Sequence, residues 1–474
     1  MDEEGAHKGT ILAIACLGQF MVILDVAIVT VALPAMRADL GFSATGLQWV
    51  VNAYTLTFAG FLLLGGRAAD LFGRRRVFIA GLALFTAASL ACGLAPGPET
   101  LVAARAVQGL GAAVLSPATL TILTTTFTEP RERARALGIW SAALAGGGAT
   151  GALLGGILTD TLSWRWIFLV NVPVGIAGIV AARAALSERR GEGARGLDVA
   201  GAVLVTGALT ALVYGLVRTD VVGWASPQTA AALGVAAVLM AAFVAVETRL
   251  ADSPLVPLRM LRRPALAGAN LAMLCVGGSM FAMWYFASLY LQGVLGESPL
   301  QAGLAFLPAS LSVIAGAQAG ARLVSRVGSR QVLIVAPLII AAGLAWMSQV
   351  SADGAYATDM LGPIVIAAFG LGLSFPSATY AATAGVPPRD AGLASGLVNS
   401  TRQIGGAVGL ALLATIAVHQ TTGALAAGSP AAEALVDGYG WAFMVGAGIA
   451  VAASLSALLI PGPPPERAAE PVRR

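Results

Sequence analysis

The chain alternates between apolar runs of about twenty residues and short arginine-bearing breaks, and it does so fourteen times in 474 residues. At 1.5 Å per residue, a helix of ~20 residues matches a hydrocarbon core ~30 Å thick. Backbone N–H and C=O groups find no water there, so only helices or closed barrels can span it. A barrel strand needs only ~10 residues, so these runs predict helices. The expectation is an all-α membrane protein with spans near 11–33, 46–65, 77–95, 101–123, 136–158, 166–186, 198–217, 229–247, 265–289, 300–320, 332–350, 359–381, 392–418 and 439–461. With 57% hydrophobic and 11% charged residues and a mean hydropathy of +0.82, the chain is far from a soluble domain, where charge approaches about a quarter. The first run follows Asp2, Glu3 and Glu4 and exceeds a signal-peptide core, so it reads as an uncleaved span.

Basic residues set the sidedness, because loops rich in arginine stay on the cytoplasmic face. Alternate loops carry Arg67, Arg74, Arg75 and Arg76; Arg131, Arg133 and Arg135; Arg183, Arg189, Arg190 and Arg195. The series continues through Arg249, Arg259, Arg262 and Arg263, then Arg322, Arg326 and Arg330, then Arg389, and ends on Arg467, Arg473 and Arg474. The intervening loops hold only Arg37, Arg165 and Arg218. Both termini are expected in the cytoplasm of a multi-pass plasma (inner) membrane protein. Trp49, Trp164, Trp166, Trp224 and Trp441 fall near the sparsely basic ends, as interfacial rings do.

Two basic loops divide the chain into a six-helix set (1–187), two additional helices with flanking loops (188–250), and a second six-helix set with a short tail (251–474). The sixes read as repeats. Gly66–Arg76 lies between the second and third helices, and Ala321–Arg330 holds the matching place in the second set, with Ser325 where Asp70 stands. Gly147, Gly151 and Gly155 of the fifth helix find counterparts in Gly405 and Gly409 of the thirteenth. Paired halves around a central site imply alternating access.

Several classes of function are disfavoured. Lys8 is the only lysine, so there is no phosphate loop of the Gly-x-x-x-x-Gly-Lys type. Cys16, Cys92 and Cys275 lie within apolar runs as small hydrophobes, and His7 and His419 are far apart, so neither a metal nor a cofactor is expected. Nothing marks an enzyme, and the scattered arginines act as topology determinants and not as a nucleic-acid surface. Whatever powers the protein is then an ion gradient, a partner subunit or the substrate's own gradient. The expected partners are a small-molecule substrate, protons and membrane lipid, with the chain acting as a monomer.

Asp25 lies well inside the first run, where a carboxylate is costly unless paired, hydrated or protonated. It falls roughly 12 Å below the outer end of its helix and Arg105 roughly 6 Å below the outer end of the fourth, within reach of one another. A proton switch or a static ion pair would both fit. Arg402 lies roughly 16 Å into the thirteenth helix, near the midplane, and could hold an anionic group or simply cap backbone carbonyls. Phe281, Trp284, Tyr285 and Tyr290 of the ninth helix suit flat apolar or cationic ligands, or plain packing. Gly147, Gly151 and Gly155 make a bare stripe that lets another helix approach closely. Gly66, Asp70, Gly73, Arg74 and Arg75 form a short tie in which Asp70 could pair with Arg135 as a breakable latch.

The tie Gly66–Arg76 resembles the Gly-x-Leu-Ala-Asp-Arg-x-Gly-Arg-Arg signature of the major facilitator superfamily, with Leu71 in place of the first arginine. Arg105–Ala113 resembles the fourth-helix motif whose arginine is implicated in proton coupling, and Leu24–Pro34 resembles the first-helix motif of the fourteen-span drug/proton antiporter (QacA/EmrB-type) branch. Ala27 and Thr30 depart from that motif's threonine and asparagine, and Ser163–Gly175 is the most branch-specific segment. The fifth-helix antiporter motif ends in Gly-Pro, but here the pair is Gly151-Ala152, which removes a helix-kinking proline. The resemblance implies two six-helix bundles plus two central helices, exporting drug-like, apolar or cationic molecules in exchange for protons, with Asp25 as proton site and Arg105 tuning it. A proton symporter for nutrient uptake and a non-transporting membrane sensor remain rival expectations.

Overall fold

The computed structural model describes residues 3–188, 196–251, 254–256 and 258–462. Arg189, Arg190, Arg195, Arg467, Arg473 and Arg474 lie outside the described residues, as does the side chain of Asp70. Fourteen helical spans are long and apolar enough to cross a membrane. The first set comprises α1 (Glu3–Leu40), α2 (Trp49–Phe72), α3 (Arg74–Gly93), α4 (Pro98–Thr126), α5 (Pro130–Thr161), and a sixth span made of α6 (Trp166–Leu169) and α7 (Asn171–Ala185). The additional pair is α8 (Val199–Val222) and α9 (Pro227–Ala245). The second set comprises α10 (Pro264–Gly293), a span made of α11 (Pro299–Ala305) and α12 (Leu307–Val327), α13 (Ser329–Met347), α14 (Leu361–Thr383), α15 (Pro388–Ala426) and α16 (Ala431–Ser456).

Proline opens α4, α5, α9, α10, α11 and α15, where its fixed φ suits the first turn and its missing N–H costs no bond. Several helices outrun the apolar runs that predict them. The thirteenth, expected over 392–418, runs Pro388–Ala426; the first reaches Leu40 with Pro34 inside it; the last begins at Ala431 instead of 439. The apolar criterion measures only what lipid covers, whereas a helix continues into water wherever its backbone can close its own bonds.

Packing repeats between the sets. In the first, α1 lies on α5, α2 and α3 on α4, and α3 on α7; in the second, α10 lies on α15, α12 and α13 on α14, and α13 on α16. The tight ties repeat as well. A single glycine joins α2 to α3 at Gly73 (φ +96°) and α12 to α13 at Gly328 (φ +86°), both in the left-handed region that a β-carbon disfavours. The glycine stripes are equivalent too: Gly147, Gly151 and Gly155 face α1, and Gly405 and Gly409 face Leu274 and Gly278 of α10.

The additional hairpin lies across both sets. Leu209, Val213 and Val217 of α8 pack with Leu56 of α2 and with Ala407 and Ala411 of α15, and Thr415 Oγ1 donates to Leu216 O at 3.2 Å. α9 is paired with α8 and is largely uncovered by protein, which leaves its apolar surface to lipid.

At the sparsely basic end, the sets meet directly. Ser288 Oγ of α10 donates to Thr30 O of α1 at 2.8 Å, and Gln292 Nε2 donates to Val31 O at 2.9 Å. Gly156 of α5 meets Pro299 and Leu300 of α11, and Gly303 meets Ala152. Toward the basic end, Arg135, Ser141 and Ala142 of α5 and Thr379 and Tyr380 of α14 are exposed.

Candidate functional site: a buried charge pair in the first bundle

Asp25 and Arg105 come together in the middle of the first bundle, Asp25 fully buried and Arg105 2% exposed. Arg105 and Gln108 are three apart on α4, so they share a helix face and approach α1 together. Arg105 Nη1 donates to Asp25 Oδ2 at 2.5 Å and to Gln108 Oε1 at 2.7 Å, while its Nε donates to Val50 O of α2 at 2.9 Å. Gln108 Nε2 donates to Asp25 Oδ1 at 2.7 Å and to Ser89 Oγ of α3 at 2.6 Å. Asn171 begins α7 at the break in the sixth span, and its Nδ2 reaches Asp25 Oδ1 at 3.4 Å and Ser89 Oγ at 3.3 Å. The Arg105 guanidinium lies over the Tyr54 ring at 4.3 Å and the Phe168 ring at 5.6 Å.

Five spans therefore converge on one carboxylate. Isolated in a low dielectric, each charge would cost several kcal/mol, and mutual attraction offsets this only with good geometry and satisfied neighbours, as here. Every donor around Asp25 suits an ionised carboxylate. Its Oδ2 accepts from Arg105 and its Oδ1 from Gln108 and, at longer range, Asn171, so the carboxylate ties α1 to α4 and to the sixth span.

The glycine stripe seats this site. A β-carbon at Gly151 would stand 2.8 Å from Leu24 O, and one at Gly155 2.7 Å from Ile28 O, so α5 packs directly on the turns of α1 that bear Asp25. α5 is one unbroken helix through Ala152.

The other predicted residues are distributed differently. Around the tie, Arg75 Nη2 donates to Arg183 O at 2.9 Å, Arg76 Nε pairs with Glu188 at 3.5 Å, and Glu188 packs on Gly73. Arg74 Nε is buried without a partner, and Gly66 makes only ordinary contact with Pro117. Arg135 is exposed; its expected partner, the Asp70 side chain, lies outside the described residues. Arg67 donates to Pro254 O in the link between α9 and α10.

The four aromatic residues of α10 do not form one patch. Tyr285 and Tyr290 are enclosed within the second bundle, Tyr285 against Phe286 and Tyr290 with its hydroxyl donating to Ser351 O at 2.8 Å. Their rings serve packing because α10 is surrounded by protein on nearly every side. Phe281 and Trp284 remain partly exposed, Phe281 against Gly406 of α15 and Trp284 on Phe306 with centroids 5.2 Å apart. Arg402 stands on α15 with Nη2 donating to Asn399 Oδ1 at 3.0 Å.

Gln108, Asn171, Ser89 and Tyr54 are site members that charge alone does not single out. The available signal was a glutamine one turn from Arg105 and an asparagine inside an apolar run.

The model of the Major Facilitator Superfamily matches residues 15–410. The chain belongs to this superfamily. Its members are transporters, not enzymes, and the fourteen helical spans among the described residues accord with a membrane transporter. The transporter is 47% identical over 455 residues to the cephamycin export protein CmcT of Amycolatopsis lactamdurans, covering 95% of this chain and 92% of that protein. It is 41% identical over 430 residues to the puromycin resistance protein pur8 of Streptomyces alboniger, covering 90% and 85%. In fold it is similar to a bacterial homolog of the human lysosomal transporter Spinster in an inward-facing, unoccupied conformation, with TM-score 0.66, 18% identity, and coverage of 96% and 98%.

Proposed function

We propose that the transporter exports a drug-like small molecule from the cytoplasm in exchange for protons, with Asp25 as the proton carrier and Arg105 as its counter-charge. Export is supported by relatives named for antibiotic export and resistance. Proton exchange is supported above all by one observation: a carboxylate with no solvent contact whose oxygens are held by Arg105, Gln108 and Asn171. Such a group is costly in a membrane interior and is a functional site by default.

In this reading the arginine-rich face is cytoplasmic and the chain works as a monomer in the plasma membrane, bordered by lipid. The conformation described has its bundles joined at the outer end through Ser288–Thr30 and Gln292–Val31. Cargo enters between the bundles from the cytoplasmic side while Asp25 is locked to Arg105. After the bundles rock and the outer side opens, a proton reaching Asp25 releases Arg105 and loosens α1 from α4. α5 carries that change to the interface, because its stripe touches the Asp25 turns and its end touches α11. The Gly66–Arg76 tie limits the swing at the cytoplasmic face.

The test is proton movement in everted vesicles challenged with a panel of antibiotics and cationic dyes. Compounds are expected to collapse the pH gradient with the wild-type chain and not with Asp25→Asn. Substrate-dependent efflux in Asp25→Asn with undiminished pH dependence would defeat this assignment.

A further inference from the structure

Arg402 differs from the paired charges Asp25 and Arg105. It lies fourteen residues beyond Pro388, roughly 21 Å along α15, and its carbonyl abuts Gly277 in the middle of α10. Both helices place it near the membrane midplane. Arg105 is enclosed and ion-paired; Arg402 is partly exposed, and no ion pair joins it to a carboxylate among the described residues. Its one side-chain hydrogen bond goes to Asn399 Oδ1, and the Phe375 ring of α14 lies 5.1 Å from the guanidinium carbon.

A guanidinium carries five N–H donors and no acceptor, so among the described residues most of its donors have no hydrogen-bond partner. Facing hydrocarbon, such a group would be strongly unfavourable; facing water between the bundles, it is tolerated and available. The Phe375 ring of α14 beside the guanidinium, and the Asn399 bond one turn back on α15, hold the side chain against the second bundle. The planar fork matches the two oxygens of a carboxylate, and Phe375 beside it, with Phe281 against Gly406 one turn further along α15, offers apolar surface for the body of a ligand.

We infer that Arg402 is the anion-binding element of the cargo site, and that the molecules carried include those with a carboxylate on an apolar frame. This rests on the exporter reading and narrows it, adding anionic cargo to the apolar and cationic classes expected from the family resemblance. It has an energetic consequence. Exchanging one proton inward for one monoanion outward moves two charges across the potential, each worth about 2.3 kcal/mol per 100 mV, whereas one-for-one exchange with a monocation moves none. The membrane potential therefore drives anion export directly.

The experiment uses the full chain in proteoliposomes, with cefoxitin as a carboxylate-bearing cephamycin probe and puromycin as a cationic one. Binding and transport are compared for wild type, Arg402→Gln and Arg402→Lys. Cefoxitin affinity is expected to fall at least tenfold in Arg402→Gln and to recover in part in Arg402→Lys, with puromycin affinity unchanged. Wild-type cefoxitin transport is expected to accelerate several-fold under a valinomycin-imposed potential of the physiological sign. Equal cefoxitin affinity in wild type and Arg402→Gln, or puromycin transport by a wild type that ignores cefoxitin, overturns the inference and leaves the exporter reading standing. Failure of wild type to bind either probe counts against both. The voltage measurement needs no variant, so misfolding of Arg402→Gln does not remove the test.

Discussion

Arg105 Nη1 stands 2.5 Å from Asp25 Oδ2, and both side chains are buried within the first bundle. Removing one partner leaves the other buried and uncompensated, a change that costs about 3–5 kcal/mol in comparable pairs. Arg105→Ala should therefore lower thermal stability strongly. Combining it with Asp25→Asn should restore much of that loss without restoring transport. Thermal unfolding of the purified variants, set beside vesicle efflux, checks this. A double variant as unstable as Arg105→Ala alone would mean that Arg105 acts through its contacts with Val50 and Tyr54 and not through the charge of Asp25.

The stripe on α5 gives a steric prediction with its own control. A β-carbon at Gly151 would meet Leu24 O and the Ala27 β-carbon at 2.8 Å each, whereas at Gly148 nothing lies within 4 Å. Gly151→Val has to push α1 outward by roughly an ångström, an overpacking cost of about 1–3 kcal/mol that falls on the turn carrying Asp25. Efflux should be lost. Gly148→Ala, in the same helix, should be neutral or stabilising by up to about 1 kcal/mol, because alanine is the better helix former. Parallel efflux and melting measurements on the two variants separate packing from general intolerance of α5.

Much of this was legible in the sequence, for reasons that also define what was not. Apolar length fixes the number of spans, because the bilayer imposes one dimension on all of them. Asp25 and Arg105 stand out because charge is rare in such runs, and counting residues from the helix ends puts them within reach of one another in the outer half. Gln108 and Asn171 do not stand out, since neutral polar residues within apolar helices are often satisfied by their own backbone, as Thr415 is by Ala411 O at 2.9 Å. Periodicity could not separate Phe281 and Trp284 from Tyr285 and Tyr290, because α10 is covered almost all round and has no single buried face. The seat of α8 across α2 and α15 was equally hidden: every surface of these bundles is apolar, so hydropathy carries no address for a neighbour.

The paired ties offer a test of the repeat. Gly73 and Gly328 both hold positive φ between consecutive helices, where alanine costs about 1–2 kcal/mol. At Gly73 a β-carbon would also strike the Glu188 carboxylate, whereas at Gly328 it would meet only Gln331 Oε1 at 3.1 Å. Gly73→Ala should therefore be the more damaging of the two, and Glu188→Ala should narrow the gap between them. Relative melting temperatures of the three single variants and of Gly73→Ala with Glu188→Ala decide it; equal losses for the two glycines would exclude a role for Glu188.

Glu247 ties the end of the additional hairpin to the link that enters the second bundle. Its Oε1 accepts from Leu255 N at 3.0 Å and its Oε2 from Val256 N at 3.1 Å, and the same link receives Arg67 at the Pro254 carbonyl. Asp198, which caps α8 by accepting from Gly201 N at 2.7 Å, lies beside it. Glu247→Ala would strand two backbone N–H groups, each costing about 1–3 kcal/mol if buried. Glu247→Gln keeps one acceptor and removes charge from a buried acidic pair, so it should be far milder. The expected readout is tryptic cleavage at Arg249, Arg259 and Arg262, fast in Glu247→Ala and close to wild type in Glu247→Gln. Equal protection in both would show that the hairpin is held by the apolar seat of α8 on α2 and α15 alone, with the carboxylate contributing nothing to the link.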